Sequence, residues 1–400
     1  TGFFAPVPPT IIAVTGTNGK TSTVEMTRQI WRMAGERAAS IGTLGVTTPD
    51  GSVSTGLTTP DIVTFLANMA GLAREGVSHV AYEASSHGLD QYRNEGLTVS
   101  ASAFTNFSRD HLDYHGTMEA YFAAKMRLFT EVVAPGSPAI IHDAGDGSAW
   151  TAKAVAEARG LNVRTVGEGG GYLRLVARDP GQLGQVLGIE YEGAVRKVNL
   201  PLIGAYQAAN ALVAAGLALA TGVAASTVFD ALSRLQPVRG RLERAAINPA
   251  GAPAYVDYAH TPDALEAAIA ALRPHVAEGG RLIVVFGAGG DRDAGKRPEM
   301  GAVAARAADV AIVTDDNPRS EDPAVIRAAI IAGAGANSRE IGDRRAAIAA
   351  AIGEAGARDI VLIAGKGHEQ GQIFGAGATM RVEAFDDVEV ARQCAGSANL

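Results

Sequence analysis

The chain is nearly without cysteine. One thiol among 400 residues, Cys394, rules out an internal disulfide framework and fits a reducing compartment, so the expected location is cytoplasmic. A basic excess is also missing. With 35 Lys and Arg against 42 Asp and Glu the net charge is −7, which argues against a broad surface for nucleic-acid backbones and leaves local sites for small anions. No long apolar run is free of polar breaks. The greasiest stretch, 200–225, is interrupted by Gln207, Asn210 and glycines, and reads as a buried alanine-rich helix in place of a membrane span. Thr1 to Pro9 has no basic region followed by an apolar run, so no signal peptide is expected.

Hydrophobic residues at 47% and charged residues at 19% describe a chain that buries a core, and 400 residues favour two domains. Apolar, β-favouring runs alternate with alanine-rich helical stretches from end to end, the pattern of an α/β protein with parallel sheets covered on both faces. Polar and glycine-rich sequence over 167–193 reads as inserted hairpins. The segment Gln236-Pro-Val-Arg-Gly-Arg-Leu-Glu243 combines Pro, Gly and dense charge, and the strand–helix rhythm restarts after it. The expected domains are therefore 1–238, a parallel α/β domain, and 239–400, a Rossmann-like α/β domain. Three strands of the second half, 281–286, 309–314 and 359–364, each run into a polar cluster, and ligands of open α/β sheets bind at such carboxyl ends.

An apolar strand, then Thr15-Gly-Thr-Asn-Gly-Lys-Thr21, then a helix is the arrangement that aims backbone N–H groups and a helix N-terminus at phosphate oxygens. Gly16, Thr17, Asn18 and Gly19 would line the phosphates of ATP, Lys20 would reach the β/γ-phosphates, and Thr21 would ligate Mg²⁺. The strict P-loop pattern places its first glycine where Val14 stands, so the loop is a shortened variant. Glu83, in Glu83-Ala-Ser-Ser-His-Gly88, follows a strand and would lie at the sheet's carboxyl edge, where a metal ligand is needed; taken alone, the segment could equally be a polar helix cap. Asn106-Phe-Ser-Arg-Asp-His-Leu-Asp-Tyr-His115 places two Asp and two His after a third strand. Its spacing matches no zinc site, and by itself it could be a hydrogen-bonded loop.

These three segments, in this order, resemble the Mur ligase family over nearly the whole chain. The resemblance implies metal binding by Thr21, Glu83, His111 and a lysine carbamylated by CO₂, which falls on Lys125 in Tyr121-Phe-Ala-Ala-Lys-Met-Arg-Leu-Phe129; by pattern alone Lys125 would be a solvated helix residue. Lys20, Glu83, His111 and Lys125 would then carry the catalysis. Leu57-Thr-Thr-Pro-Asp61 is similar to the family's loop for a muramoyl peptide, with Thr58 and Thr59 as donors and Leu57 standing where the family commonly has Asn. Ser85, Gln91 and Arg93 align with further contacts to that substrate. Asn210 and His260 match nucleotide-side positions, though each could be an ordinary satisfied side chain.

The three carboxyl-terminal clusters would carry the amino-acid specificity. Asp316-Asn-Pro-Arg319 has the form the family associates with meso-diaminopimelate, and Arg292, Asp316, Asn317, Pro318, Arg319, Gly365 and Glu369 would surround its far end, arginine facing carboxylate and Glu369 facing ammonium. The implied reaction is amide ligation through an acyl phosphate, by a monomer acting on small molecules, with Arg239 to Arg241 as a hinge that closes one domain over the nucleotide. Relatives carry a UDP-gripping domain ahead of the P-loop strand, where this chain has about ten residues. A truncated chain, or a member acting on a substrate without UDP, is therefore expected. A cyanophycin- or folylpolyglutamate-like ligase, a P-loop switch, and a nucleotide-binding protein without turnover stay open as alternatives.

Overall fold

The computed structural model describes residues 5–53, 58–143, 153, 156 and 159–396; Leu57 lies outside them. The chain divides into two compact units, one of residues 1–179, 186–201 and 205–236, the other of 180–185, 202–204 and 237–400. The first unit is built on an eleven-stranded sheet. Its strands are β1 (Thr10–Thr15), β2 (Ala38–Gly42), β3 (Gly45–Thr48), β4 (Gly51–Val53), β5 (His79–Glu83), β6 (Ala101–Phe104), β7 (Pro138–His142), β8 (Asn162–Gly167), β9 (Leu173–Gly181), β10 (Gly184–Tyr191) and β11 (Ala194–Leu200). They lie in the order β11-β10-β9-β8-β7-β6-β1-β5-β2-β3-β4. The stretch expected to form inserted hairpins supplies β9 and β10, which together with β11 extend one side of this sheet.

β1 is the pivot. It pairs in parallel with β5 on one side, Val14 opposite Glu83, and with β6 on the other, Thr15 opposite Phe104. Its residues Ile11 to Thr15 are all buried, as are all of β6 and most of β5, because helices cover both faces of the sheet. Helix α1 (Lys20–Met33) follows β1, and after it come α2 (Ile62–Arg74), α3 (Ser86–Asp90), α4 (Leu112–His115) and α5 (Met118–Arg127). The alanine-rich stretch forms the helix Ala205–Ala220, most of it buried. Its small residues allow close approach: a Cβ added at Gly216 would come 2.9 Å from Ile140 of β7. No helix among the described residues is long and apolar enough to cross a membrane.

The second unit holds a six-stranded sheet, ordered β12-β13-β17-β14-β15-β16. These strands are β12 (Glu243–Ile247), β13 (Pro253–Asp257), β14 (Leu282–Phe286), β15 (Val310–Val313), β16 (Ser338–Glu340) and β17 (Ile360–Ala364). All are parallel except β12, which runs antiparallel on β13. The runs Leu-Ile-Val-Val-Phe and Ile-Val-Leu-Ile-Ala of β14 and β17 are wholly buried, and two apolar clusters fill the two faces. A hairpin of β18 (Gly371–Phe374) and β19 (Arg381–Ala384) follows. The segments 180–185 and 202–204, which a single cut in the sequence does not anticipate, are held in this unit by Tyr255, whose hydroxyl donates to Gln182 O at 2.6 Å, and by buried His275, which lies 2.7 Å from Gly181 O and accepts from Gly204 N–H.

Candidate functional site

In the first unit the loop from Gly16 to Gly19 is bounded by the carboxyl ends of three adjacent strands. Thr105 N–H donates to Thr15 O, Thr17 N–H donates to Asn106 O at 2.9 Å, and Asn18 N–H donates to Asn106 Oδ1 at 2.9 Å. The glycines are required here. Gly16 (φ 141°) has no room for a Cβ beside Thr105 Oγ1, and Gly19 (φ 83°) none beside Asn210 Oδ1. Asn210 is thereby placed against the loop, and its Nδ2 donates to Gln207. Lys20 folds back, donating to Gly16 O at 3.0 Å and Thr17 O at 2.8 Å. Thr21, the second residue of α1, is buried.

Glu83 ends β5 buried, with Thr43 N–H donating to it at 2.7 Å and Thr43 Oγ1 at 3.3 Å. Gly42 makes this possible, since a Cβ there would collide with the carboxylate. Thr58 joins the same group through Thr43 Oγ1 at 3.1 Å. Thr59 is buried, and its hydroxyl is occupied by Glu83 O and Ser85 Oγ, each at 2.9 Å. Ser85 caps α3 by accepting from Gly88 N–H. Arg93 donates to Thr59 O at 2.8 Å and to Gln91, whose amide donates to Tyr114 OH.

His111 caps α4 in a left-handed conformation, φ 50°. Its ring is partly exposed, 3.5 Å from Asp110, and packs edge-on to His87 at 4.9 Å and Tyr121 at 5.9 Å. His87 and His115 both have their imidazoles held below the ordinary value, first by burial. On α5, Tyr121 OH donates to Thr17 Oγ1 at 3.2 Å, and Lys125 sends its amine to Gly16 O at 2.7 Å. Lys125 is buried. Its pKa falls to about 6, first through burial and then through the charge of Lys20.

The groups fit their ligands in chemical type. Thr21 and Glu83 are hard oxygen donors of the kind Mg²⁺ takes, and the loop offers backbone N–H groups at a helix N-terminus for phosphates. Among the described residues no three His, Cys, Asp or Glu side chains already form a metal cluster. The side chains named above would instead offer a hydroxyl, one carboxylate and an imidazole, with the Lys125 amine beside them.

The second unit gathers the other predicted residues at the carboxyl ends of β14, β15 and β17. Asp316, Asn317 and Pro318 are buried. Arg319 has φ 54°, a conformation few non-glycine residues adopt, and is clamped by its own backbone: its N–H donates to Ile373 O at 3.0 Å and its carbonyl accepts from Gly375 N–H at 2.6 Å. Its guanidinium donates to Gly290 O at 2.8 Å. Gly365 (φ 120°) lies so near Asp316 that a Cβ would stand 2.6 Å from Oδ2. Asn317 Nδ2 donates to Glu369 Oε2 at 2.9 Å. Arg292 is exposed on the loop after β14, and His260 is exposed with its ring tilted on Tyr258 at 4.6 Å.

Several neighbours carried no sequence signal of their own. Thr43, which holds Glu83, sits 40 residues away from it. Lys366 lies between Gly365 and Glu369, yet nothing in the sequence separates a buried lysine from a solvated one. Arg344, wholly buried with Asp387, donates to Ala364 O at 3.0 Å and Asp315 O at 3.3 Å, and so braces two of the strand ends beneath the cluster.

Residues 14–218 match the Mur ligase middle domain, and residues 240–367 match the Mur ligase glutamate ligase domain. A UDP-N-acetylmuramoyl-L-alanyl-D-glutamate--2,6-diaminopimelate ligase of Zymomonas mobilis is 59% identical over 391 residues, covering 98% of this chain and 80% of that protein. The protein of the same name from Caulobacter vibrioides is 54% identical over 393 residues, covering 96% of this chain and 79% of its own length. A solved structure of a ligase of that name superposes with a TM-score of 0.74 at 35% identity, covering 98% of this chain and 79% of the other. A folylpolyglutamate synthase of Mycobacterium tuberculosis, at 21% identity and a TM-score of 0.70 over 90% of this chain and 89% of its own, shares the fold. With both domains matched and such relatives along nearly its whole length, the chain belongs to the Mur ligase family.

Proposed function

We propose that the chain is an ATP-dependent, ADP-forming ligase that joins meso-diaminopimelate to UDP-N-acetylmuramoyl-L-alanyl-D-glutamate in peptidoglycan precursor synthesis. The observation that carries the amino-acid half is the cluster of Arg319, Asn317 and Glu369, in which a guanidinium and a carboxylate are held by the same loops. A ligand with both an anion and a cation at its far end is complementary to it. Lysine lacks the distal carboxylate, and leaving Arg319 without its anion gives the site a means of rejecting lysine.

The acceptor's terminal carboxylate attacks the γ-phosphorus of ATP; the bond to ADP breaks and an acyl phosphate forms. The free amine of diaminopimelate then attacks the acyl carbon, phosphate leaves, and the amine gives up its proton as the amide forms. Gly16 to Gly19 orient the phosphates through backbone N–H groups, and Lys20 must leave Gly16 O and Thr17 O to reach them. Magnesium, held by Thr21, Glu83, His111 and a carbamate on Lys125, would supply charge neutralisation for the phosphoryl group. Carbamylation is supported by the setting of Lys125, since the neutral amine reacts with CO₂ and a pKa of about 6 leaves it mostly neutral at physiological pH. Thr58, Thr59, Ser85, Gln91 and Arg93 frame the muramoyl dipeptide, while Asn210 and His260 serve the nucleotide. The lone cysteine, Cys394, suits the reducing environment of the cytoplasm. Mass spectrometry of the product tests the assignment: the acceptor should gain one diaminopimelate less one water, and a product carrying lysine instead would contradict it.

A further inference from the structure

Lys366 is fully buried two residues beyond the end of β17. Its Nζ donates to Asn317 Oδ1 at 2.9 Å and lies 3.3 Å from Glu369 Oε2. Asn317 Oδ1 also accepts from Ile373 N–H at 3.0 Å. An amide oxygen that takes two donors fixes the rotation of its amide, because a lysine ammonium has no acceptor to offer a flipped NH₂. Nδ2 must then face the other way, toward Glu369 Oε2. Both bonds that hold Glu369 end on Oε2, while the side chain keeps 34% of its exposure. Oε1 and the second hydrogen of Asn317 Nδ2 are left to a ligand.

We propose that Lys366 is a positioning residue for the distal ammonium of the diamino acid: it locks Asn317 and Glu369 into the one arrangement that presents a carboxylate oxygen to that ammonium. This rests on the reading of the second unit as the diaminopimelate half. Two effects oppose each other. Removing a cation near Glu369 strengthens the carboxylate's pull on another cation, whereas removing the donor frees the amide to flip and the carboxylate to rotate. The second wins in a buried network, where a flipped Asn317 would leave Ile373 N–H without its acceptor and turn an amide oxygen toward Glu369.

Calorimetric titration of the chain with meso-diaminopimelate, and with 2-aminopimelate, which has hydrogen in place of the distal ammonium, separates the possibilities. In Lys366→Met the Kd for meso-diaminopimelate should rise on the order of tenfold or more, as for loss of a charged hydrogen bond, and by at least about fivefold more than that for 2-aminopimelate. ATP affinity should stay within about twofold, well under the tenfold that 1.4 kcal/mol represents. Lys366→Gln, which keeps a donor without the charge, should fall between wild type and Lys366→Met. Equal losses for both ligands, tighter binding of meso-diaminopimelate, or a failure of both variants to fold would overturn the positioning role. Wild type that binds neither ligand would instead overturn the diaminopimelate reading itself.

Discussion

The side-chain nitrogen of Lys125 and the carbonyl oxygen of Gly16 lie 2.7 Å apart, although 109 positions separate them in the chain. A buried lysine at the phosphate loop is therefore set beside the groups that would bind metal and phosphate. Lys125→Ala should lower kcat by a factor on the order of a thousand, the scale of losing a metal-supporting group at a phosphoryl-transfer centre. Short carboxylic acids added to the variant should restore part of the rate by standing in for the carbamate. Phosphate release measured with and without them is the check, and no rescue would count against the carbamate.

The same lysine predicts how stability depends on pH. Its folded-state pKa is about 6, against an ordinary value of 10.5, so the folded state resists holding the proton. That penalty is fully present below about pH 6 and vanishes above the unfolded value near 10.4. In chelated, CO₂-free buffer, wild type should gain stability relative to Lys125→Met as pH rises from 6 to 9. Denaturant melts of both proteins across that range are the measurement, and a constant difference would mean that Lys125 titrates as it does in water.

Arg319 predicts a split between substrates. Arg319→Ala should raise the KM for meso-diaminopimelate by roughly tenfold to a hundredfold, the cost of a lost charged hydrogen bond, and leave the KM for ATP nearly unchanged. Equal effects on the two would argue against its assignment.

Beneath that cluster, Arg344 and Asp387 are both fully buried and paired at 2.7 Å. Asp387→Asn leaves the guanidinium without its counter-charge and should cost about 3–5 kcal/mol by denaturant unfolding. A loss below about 1 kcal/mol would be the value of a surface pair, and would show that Arg344 finds another partner or water.

Much of this was legible in the sequence because the relevant residues follow strands. An apolar run followed by a polar cluster is a local pattern, and it puts Gly16 to Thr21, Glu83 and Asn106 at one sheet edge once β1, β5 and β6 pair. What local pattern does not carry is burial and long-range support. Lys125 is in a helix whose sequence could as well face water, and only its packing beside the loop lowers its pKa. The contacts of the Thr59 hydroxyl with Glu83 O and Ser85 are likewise set by how its loop returns to β5, which no local pattern shows. The hairpin β18–β19 gave no sign that its backbone would hold Arg319 in a left-handed conformation, because backbone bonds leave no mark on side-chain identity.

The central claim is that ATP cleavage here serves amide formation between a muramoyl dipeptide and diaminopimelate. Phosphate release from ATP, with each co-substrate left out in turn, tests it most directly. Release that requires both UDP-N-acetylmuramoyl-L-alanyl-D-glutamate and meso-diaminopimelate, with lysine unable to replace the latter, is the predicted result; release indifferent to the two co-substrates would contradict it.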